Sequence, residues 1–235
     1  MTDEILPVPQ PKATPERPLI GLTILLVEDS RFASEAVRLL CLRSGARIRR
    51  ADCLRSAYRH LQTYRPDVVI VDMGLPDGSG SDLIAQILGR GGARPALLGT
   101  SGDSGLRAAA VEAGADGFLE KPVESLSQFQ QAILAVLPAE KRPQGLRLLR
   151  DTKIAPDPLA LCEDLERIAE VLRNAPAGRT LPYAAHFLAG IALSAHDGDL
   201  RKAALRLGRA GGPSQQEMSE VTGLIAARLT AGGAI

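Results

Sequence analysis

Between residues 21 and 137, short apolar runs alternate with helix-length amphipathic segments. The runs cover 23–27, 67–71, 96–99 and 117–120, with a weaker one at 47–51 where Ile48 is the one large apolar residue. Short apolar runs spaced this way read as buried parallel strands. The segments between and after them predict helices over 31–44, 54–64, 81–88, 105–113 and 124–136. The first carries Ala33, Val37, Leu40 and Cys41 on one stripe, with Gly45 as its stop. Pro66 closes off the second, and 75–80 (Leu-Pro-Asp-Gly-Ser-Gly) is turn chemistry. Five strand–helix units with short connections specify one parallel sheet covered by helices on both faces.

The pattern changes after residue 157. No strand signal appears in 158–235, and helices are predicted over 159–174, 181–195, 199–208 and 214–229. Leu161, Leu165, Ile168 and Leu172 recur at helical spacing, and Ser214-Gln215-Gln216-Glu217 is a capping-box pattern. Short loops between amphipathic helices suggest an antiparallel bundle. The expected fold is therefore an α/β domain over 21–137 followed by a small all-α domain of about four helices over 158–235. Residues 1–20 hold Pro7, Pro9, Pro11, Pro15 and Pro18 and are expected to form an extended, mobile tail. Residues 138–157 read as a linker punctuated by Pro138, Pro143, Gly145 and Pro156. Its first part is basic, with Lys141, Arg142, Arg147 and Arg150 against Glu140.

Composition narrows the function classes. The formal net charge is +1, which gives no push toward nucleic acid or membrane. Aromatics are 3% and Trp is absent, so the cores must rest on Leu, Val, Ile and Ala. Cys41, Cys53 and Cys162 lack metal-ligand spacing and fit reduced thiols in a cytoplasm. No apolar run approaches the ~18 residues of a membrane span. The first residues, with Asp3 and Glu4, lack the apolar core of a signal peptide. A cytoplasmic location without membrane contact is expected.

Four of the apolar runs lead into residues suited to phosphoryl chemistry: Glu28 and Asp29, Asp72, Thr100 and Lys121. In open α/β sheets ligands bind at the carboxyl ends of the strands, so these five side chains should converge. Three carboxylates suit Mg²⁺, which takes hard oxygen ligands. Asp72 is a plausible nucleophile, since a carboxylate can carry a phosphoryl group as an acyl phosphate. The Lys121 ammonium and Thr100 hydroxyl could flank the transferring group. Pro122 would shape the bend after the strand, and a cis Lys121–Pro122 bond would aim Lys121 inward. Any single acid here could simply cap the next helix; the ordered set of five is the signal. Gly99 is an oddity, because a β-branched residue would suit a buried strand better and glycine would loosen it.

The stretches Leu26-Val27-Glu28-Asp29-Ser30, Val71-Asp72-Met73-Gly74-Leu75-Pro76-Asp77-Gly78-Ser79-Gly80, Gly99-Thr100-Ser101-Gly102 and Gly117-Phe118-Leu119-Glu120-Lys121-Pro122 closely resemble the receiver domain of two-component response regulators. The resemblance covers 21–137, about half of the chain. It implies a flavodoxin-like fold and Mg²⁺-dependent phosphorylation of Asp72 by a partner histidine kinase or phosphotransfer protein. It implies metal binding by Glu28, Asp29, Asp72 and the backbone carbonyl of Gly74, with Thr100 and Lys121 on the phosphoryl group. Phe118 stands where such domains carry a switch aromatic, and an ordinary core position is the other reading. The implied protein is a switch that catalyses its own phosphorylation and dephosphorylation, not an enzyme in the usual sense. Its signal should pass through the face made by 105–136, near the basic linker. A phosphohydrolase of haloacid-dehalogenase type is set aside, because its second Asp would fall at Gly74.

Three output readings compete for the helical region. A DNA-binding module is suggested by 198–208, which faintly resembles the first helix of a Fis-type helix-turn-helix. Gly211-Gly212-Pro213 lengthens the turn, however, and residues 151–235 carry nine bases against ten acids, poor material for phosphate contacts. A phosphotransfer-like bundle is suggested by His186-Phe187-Leu188-Ala189-Gly190, which echoes the H-x-L-K-G core of histidine phosphotransfer domains, with Ala in place of the Lys. His186 and Gly190 fall off the apolar face and are expected to be exposed. The favoured reading is a protein-interaction or dimerisation module, acting on an output partner or a second copy. His60 and His196 are assigned no function.

Overall fold

A computed structural model describes residues 12–143, 152–174, 180–209 and 212–232. The first part is built on five parallel strands: β1 (Thr23–Val27), β2 (Arg47–Ala51), β3 (Val68–Asp72), β6 (Ala96–Ser101) and β7 (Gly117–Glu120), in the order β2-β1-β3-β6-β7. A small antiparallel pair, β4 (Gly74–Leu75) and β5 (Gly78–Ser79), follows β3. Every residue of β3 and β6 is buried, as continuous apolar runs in the middle of a covered sheet should be. β2 is an edge strand with Arg47, Arg49 and Arg50 exposed, which explains its weak apolar pattern.

Five helices cover the sheet: α1 (Arg31–Ser44), α2 (Leu54–Thr63), α3 (Gly80–Gly89), α4 (Leu106–Glu112) and α5 (Leu126–Val136). Phe129, Ile133 and Leu134 of α5 join Val37 and Leu40 of α1 on one face. Leu54 and Ala57 of α2, Leu83 and Ile84 of α3, and Ala110 of α4 pack on the other. Ser30 caps α1 by accepting from the Ala33 N–H, and Gly45 ends it at φ 85°. That left-handed backbone is accessible to glycine at little cost.

Both connecting segments are more engaged than expected. Leu19 is fully buried in the α1–α5 core, and Leu19 N donates to the Ser44 carbonyl at 2.9 Å. The described end of the proline-rich stretch is therefore a packed turn and not an extended tail. Lys153 bridges Ser125 in antiparallel fashion, and Ile154 is buried in the same core. The expectations for Arg147 and Arg150 lie outside the described residues.

The helical part comprises α6 (Pro158–Arg173), α7 (Thr180–Ser194), α8 (Gly198–Leu207) and α9 (Gln215–Gly232). Leu165, Ile168 and Leu172 meet Phe187, Leu188, Ile191, Leu200, Val221 and Ile225 in a core of their own. Glu217 accepts from Ser214 N at 2.8 Å and Ser214 Oγ accepts from Glu217 N at 3.2 Å, so the capping box forms at α9. Among the described residues no helix is long and apolar enough to cross a membrane.

Candidate functional site

The strand register assembles the site. Asp72 ends β3 and pairs with Thr100 of β6; Val27 pairs with Val71, so Glu28 and Asp29 emerge beside Asp72. Ser101 pairs with Glu120, which places Lys121 just beyond the sheet edge. One carboxylate oxygen from each of Glu28, Asp29 and Asp72 lies within 4.8 Å of the others. All three residues are 3–4% exposed. The Lys121 ammonium donates to Asp72 Oδ2 and pairs with Glu28 Oε2, each at 2.7 Å. Gly74 N donates to Asp72 Oδ1 at 3.2 Å. Asp29 Oδ1 and Thr100 Oγ1 are buried with no hydrogen-bond partner among the described residues. The Lys121–Pro122 bond is cis, as expected.

Small residues permit this convergence. A Cβ on Gly80 would lie 2.2 Å from the Asp72 carbonyl oxygen, so α3 can start here only with glycine. Asp77 accepts from Leu54 N at 2.8 Å and Arg55 N at 3.0 Å, capping α2 from the loop. Gly99 also has a purpose that strand propensity misses. A Cβ there would meet Ala110 Cβ at 2.8 Å, Phe118 Cδ2 at 3.1 Å and Met73 Sδ at 3.3 Å. Glycine makes room for the inward ring of Phe118, which is 9% exposed with the Arg107 guanidinium 4.9 Å above it.

Three buried carboxylates against one buried ammonium make an electrostatically incomplete site. Burial raises the Glu28 carboxyl to about 8, with the Asp72 charge adding to the rise and Lys121 opposing it. Burial likewise raises Asp29 to about 6, against the Tyr183 hydrogen bond. Burial alone would lower the Lys121 ammonium, but Asp72 and Glu28 together hold it above its ordinary range. A cation is what such a set lacks. Hard oxygen donors, and an unpartnered buried Asp29 oxygen among them, fit Mg²⁺.

Residues 24–134 match the response regulator receiver domain. This half of the chain is a receiver domain. The KDP operon transcriptional regulatory protein KdpE of Escherichia coli is 31% identical over 99 residues, 42% of this chain and 44% of that protein. Response regulator MprA of Mycobacterium tuberculosis is 29% identical over 143 residues, 60% of this chain and 62% of that protein. The chain spans about half the length of the curated relatives it matches first. A solved LuxR-family two-component response regulator from Aurantimonas is 31% identical, with a TM-score of 0.45, over 52% of this chain and 89% of that one.

The helical bundle closes over the receiver site. Tyr183 donates its hydroxyl to Asp29 Oδ2 at 2.5 Å. Arg167 Nη2 donates to the Asp29 carbonyl at 3.0 Å and lies 3.4 Å from Oδ2. Asp164, 1% exposed, accepts from Ser30 Oγ at 2.7 Å, Phe32 N at 3.0 Å and Arg31 N at 3.1 Å, so it caps α1 from another domain. His196 meets Glu124 at 2.5 Å. His186 does fall outside the bundle core, but it is half-buried rather than fully exposed as expected. Its ring rests on the receiver, where a Cβ on Gly74 would be 2.5 Å from Nε2. Sequence reasoning missed Asp164, Arg167 and Tyr183. Asp164 and Arg167 do share a polar stripe beside the Leu161–Leu165–Ile168 face, but spacing cannot reveal what such a stripe meets.

Proposed function

We propose that this chain is a phosphorelay response regulator whose Asp72 accepts a phosphoryl group from a partner histidine kinase or phosphotransfer protein. The observation that carries the reading is the Lys121 ammonium bound at once to Asp72 and Glu28, on a buried site where the Thr100 hydroxyl remains unpartnered. Mg²⁺, when bound by Glu28, Asp29, Asp72 and the Gly74 carbonyl, would supply charge for the phosphoryl oxygens. A carboxylate oxygen of Asp72 attacks phosphorus as the donor's N–P bond breaks, and the imidazole leaves with the bond's electron pair. Lys121 shifts from the carboxylates toward the new phosphoryl oxygens, and Thr100 donates its hydroxyl to one of them. Hydrolysis by water then releases phosphate and returns Asp72, so the receiver carries out both the gain and the loss of its own modification.

The bundle is read as a protein-interaction output whose availability depends on the receiver. DNA binding is the second reading, favoured by the transcriptional regulators among the relatives. Against it, Arg206 pairs with Glu220, Arg228 with Asp197 and Arg167 with Asp29, which removes bases from a phosphate-binding face. The test of the core reading is phosphoryl transfer from a small acyl phosphate with Mg²⁺. Incorporation mapped to Asp72, decaying by hydrolysis and absent in Asp72→Asn, is expected; equal incorporation in both would overturn it. Light scattering with beryllofluoride then reads whether the output is a change of oligomeric state.

A further inference from the structure

The contacts between bundle and receiver concentrate on one metal-site residue. Asp29 is expected to be a cation ligand, yet its Oδ2 already accepts from Tyr183, with the Arg167 guanidinium beside it. Arg167 is itself positioned by stacking 4.3 Å over the Phe187 ring. The same helix, α7, lays His186 on Gly74, and the Asp72 carboxylate two residues away is 3% exposed. Helix α7 thus lies against the loop that follows Asp72. The polar links between bundle and receiver include Asp29 with Tyr183 and Arg167, Asp164 with Ser30 Oγ, Arg31 N and Phe32 N, Arg31 with Glu163, Glu124 with His196, and the Gly102 carbonyl with Arg201. The bundle core and the two receiver cores share no residue.

We propose that Tyr183 and Arg167 form an intramolecular lock on the cation site, so that cation loading and docking of the bundle on the receiver oppose each other. The lock rests on the reading of Glu28, Asp29 and Asp72 as a cation site. A divalent cation and the Arg167 guanidinium are two positive charges competing for one carboxylate, and the Tyr183 hydroxyl draws on the same charge through Oδ2, leaving Oδ1 as the oxygen open to the cation. A bound cation therefore weakens the docked arrangement, and the exposed Asp72 and the freed face of α6 and α7 become available together. By linkage, whatever holds the bundle down lowers cation affinity by the same factor.

The test uses the full chain and Mn²⁺ as the probe, with free Mn²⁺ read by its paramagnetic resonance signal. Tyr183→Phe removes one hydroxyl, and Arg167→Met keeps a stem to lie on Phe187, so both variants should fold. The double variant is expected to bind Mn²⁺ about tenfold more tightly than the parent chain. In the parent chain, Mn²⁺ is expected to reduce hydrogen-exchange protection at the start of α1, where Asp164 caps it, and along α6. Saturable binding of equal affinity in parent and double variant overturns the lock alone. Tighter binding with unchanged protection on loading overturns the link to docking. No saturable Mn²⁺ binding in either protein overturns the underlying reading of the cation site.

Discussion

The receiver and the bundle carry their chemistry in different ways. In the receiver, function follows from topology: parallel strands deliver Glu28, Asp72, Thr100 and Lys121 to one sheet edge, and register fixes their neighbours. In the bundle, the apolar core is self-contained, and the polar groups that matter point away from it toward the other domain. One domain holds a site and the other holds a cover for it. Such a pair can be regulated by weakening their contact without unfolding either.

The comparison can be broken first at the cores. Leu188 is fully buried in the bundle and Leu26 is 1% exposed in the receiver. Each Leu→Ala change should cost about 2–5 kcal/mol. Because the cores are separate, Leu188→Ala should melt the bundle in an early transition while the receiver still binds cation. Leu26→Ala should abolish cation binding with the receiver. Differential scanning calorimetry with and without Mg²⁺ distinguishes these results from a single shared transition.

The docking contact comes next. Asp164→Ala leaves Ser30 Oγ and two N–H groups at the start of α1 without their acceptor. The expected loss is about 1–3 kcal/mol in thermal unfolding, larger than for an exposed cap because Ser30 Oγ and Phe32 N are buried. Arg31→Ala, which removes the exposed partner of Glu163, should change stability by less than about 1 kcal/mol.

The pH dependence sharpens the contrast further. Glu28 and Asp29 sit above the ordinary carboxylate range in the folded, cation-free protein, at about 8 and about 6. The folded state therefore binds more protons than the unfolded chain in this window. Its stability from these groups is present at low pH and lost as pH rises from the carboxylate range through about 8. Cation binding needs both anions and releases their protons, so affinity should rise from pH 6 to pH 8, as calorimetric titration at the two values would show.

Much of the receiver is legible in its sequence because its strands are uninterrupted apolar runs ending in charge. Asp72 and Lys121 stand out for that reason. β2 is faint because an edge strand needs only one apolar side, and the packed turn at Leu19 is masked by prolines that suggest an open chain. Gly99 looks like a weakness until Phe118 is seen to need its space. Tyr183, Arg167 and Asp164 gain meaning only from residues more than a hundred positions away, and helical spacing carries no trace of such a partner.

The central claim is that Asp72 is the phosphoryl acceptor of a site completed by a cation and Lys121. Fluorine resonance of beryllofluoride, a mimic of the phosphoryl group, tests it most directly in the full chain with Mg²⁺. Bound fluorine signals that saturate in the parent chain and vanish in Asp72→Asn are the expected result. Bound signals that persist in Asp72→Asn, or that never form in a parent chain shown to bind Mg²⁺, would contradict the account.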